Sequence, residues 1–188
     1  MSRVIRFVIA FVLSLSPLAI VVPAQAGTAA RASTGVAAVQ ILRYDAGHAA
    51  EFRSTVDQAA QIWNSSVTDV RLVAGHPADF VVLADDGWPR AQLTDLGRGT
   101  VWMGRQATTE GHDPLRIATH EIGHILGLPD RRTGLCEDLM SGASAGTGCT
   151  NPYPNAAERA EVEGNFRGFA PAAGFGRTYV DDLESTTP

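Results

Sequence analysis

The sequence predicts one α+β domain, a mixed twisted sheet backed by helices. Three observations carry that expectation. An apolar, β-branched run at 39–44 leads into an amphipathic helical pattern at 49–63, and further short strand-like runs follow. A second helical pattern, 114–126, is closed by Gly127. A third opens at Pro154 and Asn155 and runs to about residue 166. With 188 residues the chain has room for one such core and little more.

In chain order, Val39-Gln40-Ile41-Leu42-Arg43-Tyr44 has the residue types of a first strand. Asp45-Ala46-Gly47 reads as the turn after it. Ala49, Phe52, Val56, Ala59, Ala60 and Trp63 then recur at helical spacing. Residues 70–73 and 79–84 are short strands, and Gly97-Arg98-Gly99 precedes another at 100–103. Asp113 is a candidate N-cap with Pro114 in the first helical position. Leu115, Ile117, Ala118, Ile122, Ile125 and Leu126 bury that helix and leave its histidines toward a cleft. The tail beyond residue 174 is polar and turn-rich, and is expected to be poorly ordered.

The stretch His120-Glu121-Ile122-Gly123-His124-Ile125-Leu126-Gly127-Leu128-Pro129-Asp130 carries the chemistry. Residues four apart share a helix face, so His120 and His124 can reach one ion. Glu121 stands beside them, where a carboxylate can act as base on a water. Gly127 takes a left-handed conformation at little cost and lets Asp130 return as a third ligand. Three protein ligands with one open position describe a catalytic zinc site rather than a structural one.

Ten residues after Asp130 stands Met140, within Leu139-Met140-Ser141-Gly142. An extended zinc motif followed by a methionine turn resembles the metzincins, in which that turn lies beneath the metal. Met140 is then an apolar floor and not a ligand. Aspartate at position 130, where most metzincins have histidine, narrows the resemblance to the snapalysin family of small secreted neutral metalloproteases. Ala60-Gln61-Ile62-Trp63-Asn64-Ser65-Ser66-Val67 and Cys149-Thr150-Asn151-Pro152-Tyr153-Pro154-Asn155-Ala156 extend it. The resemblance implies a metzincin zincin-like fold with an active-site helix, a Met-turn and a C-terminal helix. It also implies zinc endopeptidase activity with a preference for an aromatic residue just after the scissile bond.

Three further expectations come from the same resemblance. The family carries a tyrosine two residues after the aspartate ligand, whereas this chain has Arg131 and Arg132. Arg132 is the candidate to replace the phenol as a donor to the oxyanion; the alternative leaves it in solvent. The family also has a calcium site before the zinc helix, which here maps to Asp113 and the carbonyl of Leu115. Asp113 serving only as an N-cap is the alternative. Finally, a metzincin edge strand lies antiparallel to the substrate, a role expected for 100–103 or the segment just before it.

The termini and composition set the remaining bounds. Arg3 and Arg6, an apolar run to Val22 and Ala24-Gln25-Ala26 make 1–26 a signal peptide, so the chain is expected to be secreted and extracellular. Residues 27–37 read as a short disordered prosegment, 38–170 as the catalytic domain and 171–188 as a flexible tail. Cys136 and Cys149 form a disulfide across the Met140 turn in an exported protein; zinc ligation by these thiols is the weaker alternative. Fifteen basic against 20 acidic residues, with no dense cationic run, argue against nucleic acid. Nothing after the signal is apolar enough to span a membrane. Partners are therefore protein or peptide substrates, met by a monomer. A secreted zinc protein that binds peptides without cleaving them is the rival from another class, and hydrolysis of a non-peptide amide is a third reading.

Overall fold

Alternation along β1 (Gln40–His48) buries Leu42, Tyr44 and Ala46 on one face and leaves Ile41, Arg43 and Asp45 more exposed on the other. The structure, a computed structural model, describes residues 38–167 and 178–180. The signal-peptide and prosegment expectations, and most of the tail, lie outside the described residues. β1 pairs in parallel with β2 (Val70–Ala74) on one side and β3 (Phe80–Asp85) on the other. β3 pairs in parallel with β5 (Arg98–Gly104), and β4 (Arg90–Asp95) pairs antiparallel with β5. The sheet order is β2-β1-β3-β5-β4-β6, where β6 is Thr178–Val180, antiparallel to β4. The sheet is mixed, as expected.

Two strand expectations are corrected. Asp45-Ala46-Gly47 does not turn the chain: β1 continues through it to His48, with an irregular register opposite β3. A strand with parallel partners on both sides has ladder bonds to gain by continuing, so the local signal of Asp45 and Gly47 yields a bulge instead. Residues 178–180, placed in the flexible tail, are strand β6, because the outer edge of β4 offers them hydrogen-bonding partners. The pattern also left β4 unmarked. Only Ala91 and Leu93 of its six residues are buried, so its alternation is too short to register.

Among the described residues, four α-helices complete the fold: α1 (Arg53–Ser66), α2 (Arg105–Thr109), α3 (Pro114–Ile125) and α4 (Ala156–Phe166). The pattern at 49–63 becomes a 3-10 turn, Ala50–Phe52, running into α1. α1 and α3 pack on each other; α1 also lies against β2, and α3 against β4 and β5. Trp63, Phe80, Met103, Ile122, Ile125 and Leu126 fill the space between, each almost wholly buried. Such side chains each contribute roughly 1.5–3 kcal/mol of hydrophobic stabilisation. Trp63 Nε1 also donates to the carbonyl of Thr119 at 2.9 Å, which pins the middle of α3 to α1.

Between α3 and α4 the chain has little regular structure, and side chains hold it in place. Buried Arg116, on α3, donates to the carbonyls of Asn151 at 2.6 Å, Asp138 at 2.7 Å and Cys136 at 3.2 Å. Asn155 and Glu158 form a capping box at the start of α4. Glu158 is fully buried and uses its other oxygen to accept from Met140 N at 2.8 Å. The bridge Cys136–Cys149 closes the same loop. Replacing Arg116 by Leu strands several carbonyls together, so Arg116→Leu should lose about 2–4 kcal/mol of stability. Urea unfolding monitored by tryptophan fluorescence checks this, and an unchanged midpoint would refute it.

Candidate metal centre

α3 begins as its sequence requires: Asp113 accepts from Arg116 N at 2.8 Å, and Pro114 occupies the first turn, where no donor is needed. Its end is equally specified. Gly127, at φ +93°, donates to His124 O at 2.8 Å while Leu128 N donates to Gly123 O at 3.0 Å. This pair of bonds is a Schellman ending, which needs the left-handed glycine. A Cβ on Gly127 would also lie 2.6 Å from the Asn165 side chain. The turn sends the chain back past the helix and brings Asp130 to the two histidines.

The ring orientations decide what the site can bind. His124 Nδ1 lies 2.8 Å from the carbonyl of Leu128, and His120 Nδ1 lies 2.9 Å from that of Leu139. A carbonyl only accepts, so each Nδ1 carries the proton and each Nε2 presents a bare lone pair. The two Nε2 atoms face each other at 3.1 Å, and Asp130 Oδ1 lies 3.3 Å from one and 3.5 Å from the other. Asp130 Oδ1 is buried and has no hydrogen-bond partner among the described residues. Burial pushes the pKa of His124 below its ordinary value, which keeps that ring neutral.

Three converging lone pairs repel unless a cation lies between them. Their separations match the edges of a zinc tetrahedron, about 3.3–3.4 Å for bonds of about 2.0–2.1 Å. His120, His124 and Asp130 are the one group of three metal-binding side chains found among the described residues. The donor set therefore fits zinc, with a fourth position left for water or substrate.

Glu121 is fully buried on the same helix, one residue from His120 and three from His124. Met140 is likewise fully buried, and its sulfur would lie 2.8 Å from any Cβ at position 123. Gly123 is thus the gap in α3 that the Met-turn fills. The turn is tied to the ligand segment by Arg131 N, which donates to Met140 O at 2.8 Å.

Not every expected site residue joins this centre. Asp113 spends a carboxylate oxygen on the N-cap, and the Leu115 carbonyl accepts from Thr119 Oγ1 at 2.8 Å inside the helix. Asp113 is not in the metal-binding group found among the described residues, and calcium is not supported. Strand 100–103 is no edge, since β5 is paired on both sides; the segment before it, β4, faces outward from the sheet and meets β6. Arg132 lies at the site rather than in solvent. At φ +46°, it brings Nη2 to 3.6 Å from Asp130 Oδ2 and donates to Val180 O at 2.9 Å.

Tyr179 was invisible to sequence reasoning: its ring stacks on His124, with centroids 4.1 Å apart and planes 9° from parallel. A tyrosine in a polar tail gives no local signal for such a contact. Glu158 was findable, because Asn155-x-x-Glu158 has the spacing of a capping box.

The geometry predicts one tightly bound zinc per chain, with the metal raising the thermal midpoint and a chelator lowering it. Asp130→Ala should weaken zinc binding by more than about 100-fold, since losing even an outer hydrogen-bond partner costs about 10–100-fold. Competition titration against a zinc-sensitive dye measures both, and wild-type affinity in Asp130→Ala would exclude the aspartate as a ligand.

The chain is 46% identical over 121 residues to an extracellular small neutral protease of Streptomyces caespitosus, covering 63% of this chain and 91% of that protein. A protein of the same description from Streptomyces lividans is 41% identical over 134 residues, which is 70% of this chain and 59% of that one. Among solved structures, high choriolytic enzyme 1, a hatching enzyme zinc-protease from the medaka Oryzias latipes, is similar over 50% of this chain and 47% of that chain. Its identity is 18% and its TM-score 0.37. The resemblance read from the motifs is borne out. The family match covers residues 38–167 and so takes in all three candidate ligands, and the chain belongs to the Streptomyces extracellular neutral proteinase (M7) family.

Proposed function

We propose that the chain is an exported zinc endopeptidase in which His120, His124 and Asp130 hold the metal and Glu121 is the general base. The observation that carries this reading is the convergence of three lone pairs beside a buried carboxylate on the same helix. Bound zinc would polarise the scissile carbonyl and acidify a water. Glu121 takes the proton from that water and delivers it to the leaving amine as the peptide bond breaks. His120 and His124 keep their rings in place through the Leu139 and Leu128 carbonyls, which fixes their tautomers throughout. Arg132, with its guanidinium at the rim of the centre, donates to the oxygen that gains charge.

Export is supported by the signal-like N-terminus and by relatives described as extracellular. No helix among the described residues is long and apolar enough to cross a membrane. The substrates are proteins or peptides, with an aromatic residue favoured just after the scissile bond.

Glu121→Gln should lower kcat by about 10²–10⁴-fold while zinc content stays at the wild-type level. Retained turnover in that variant would remove Glu121 from the mechanism, and turnover surviving full removal of zinc would remove the metal. Cleavage of a peptide library, with sites mapped by mass spectrometry, should enrich Phe, Tyr or Trp on the C-terminal side of the cut bond. A flat distribution there would reject the aromatic preference and leave the hydrolysis itself standing. Binding of the library without any cleavage would favour the peptide-binding rival.

A further inference from the structure

The sheet edge nearest the metal centre is occupied by the protein itself. β6 adds to the outer edge of β4 antiparallel, with Val180 opposite Arg90, Tyr179 opposite Ala91 and Thr178 opposite Gln92. An extended peptide joining an exposed strand in this way is a general mode of peptide recognition, in which main-chain bonds give affinity and side-chain seats give selectivity. Tyr179 takes such a seat, flat on the ring of His124. The Val180 carbonyl, one residue on, receives the Arg132 guanidinium that also lies near Asp130. Backbone, side chain and carbonyl of one short segment thus each meet a different part of the proposed cleft.

β6 has the character of a ligand and not of a core strand. It has three residues; Thr178 and Val180 are exposed and Tyr179 is only partly buried. It also lies beyond residue 167, where the family match ends. Eleven residues, 167–177, separate it from α4 in the sequence. A short tether gives an effective concentration on the order of millimolar, enough for a weakly binding tripeptide to occupy its seat much of the time.

We propose that the tail segment Thr178–Val180 is an intramolecular peptide ligand of the β4 edge and competes there with substrate. The inference rests on reading the centre as a peptidase cleft. Substrate binds only the fraction of molecules whose tail is out, so the tail raises the apparent KM by the inverse of that fraction and leaves kcat unchanged.

The test keeps the full chain. Tyr179→Ala should lower the KM for a short fluorogenic peptide by at least about threefold. Added in trans, a synthetic peptide of residues 174–184 should inhibit Tyr179→Ala competitively. A fluorescein-labelled form should bind the zinc-loaded Glu121→Gln/Tyr179→Ala double variant saturably in an anisotropy titration. The same peptide with alanine in place of its tyrosine should bind at least about fivefold more weakly. An unchanged or raised KM in Tyr179→Ala overturns the proposal, and so does failure of the labelled peptide to bind. The two readings fail separately: peptide binding to the double variant with no hydrolysis by wild type would sink the protease assignment and leave the tail as a cleft ligand.

Discussion

Everything in the centre depends on two backbone carbonyls that cannot give up a proton. Leu128 O and Leu139 O each hold a histidine Nδ1–H, and so fix both Nε2 lone pairs toward one point. Neither carbonyl belongs to α3. Leu128 lies in the turn that ends the helix, and Leu139 opens the Met-turn loop. The helix supplies the two rings, but their orientation comes from the chain on either side of Asp130. Bringing a carboxylate up to two bare lone pairs is unfavourable in itself, and the cation makes the arrangement stable.

That dependence explains why the least regular part of the chain is held so firmly. The segment from Arg131 to Asn155 has no strand and only a short 3-10 stretch, Leu139–Ala145, so its backbone polar groups need partners from elsewhere. Arg116 reaches across from α3 to several of its carbonyls, while Glu158 reaches back from α4 to Met140 N. The Cys136–Cys149 bridge joins residues 13 apart in sequence, a closure worth about 3 kcal/mol on a chain-entropy argument. Met140 then fills the gap at Gly123 from below. Buried polar contacts, more than apolar area, carry the position of the third wall of the site.

The open side of the centre follows a different rule. β4 is a short strand with polar outward residues, and its outer side is paired only with the three-residue β6. A strand whose outer ladder edge is held by only three residues is suited to an extended peptide, whichever chain provides it. Tyr179 stacked on His124 couples that edge to the ligand sphere. Arg132, in the position where the family's tyrosine was expected, lies between the two.

Local patterns were enough for most of the elements and for the candidate ligands. Helical spacing placed α1 and α3, Asn155 and Pro154 placed the start of α4, and the four-residue interval with Gly127 and Asp130 assembled the zinc set. Each of these is a short-range constraint, expressed within a turn or two of backbone. Tertiary structure decided what depends on neighbours distant in sequence. Asp45-Ala46-Gly47 became a bulge because β1 has partners on both sides, and β4 became a strand through its pairing with β5. Asp113 caps the start of α3, and the Leu115 carbonyl accepts from Thr119 within it. The tripeptide Thr178–Val180 in the tail became a strand against the outer edge of β4, since ladder bonds depend on which backbone lies alongside and not on the side chains that the sequence spells out.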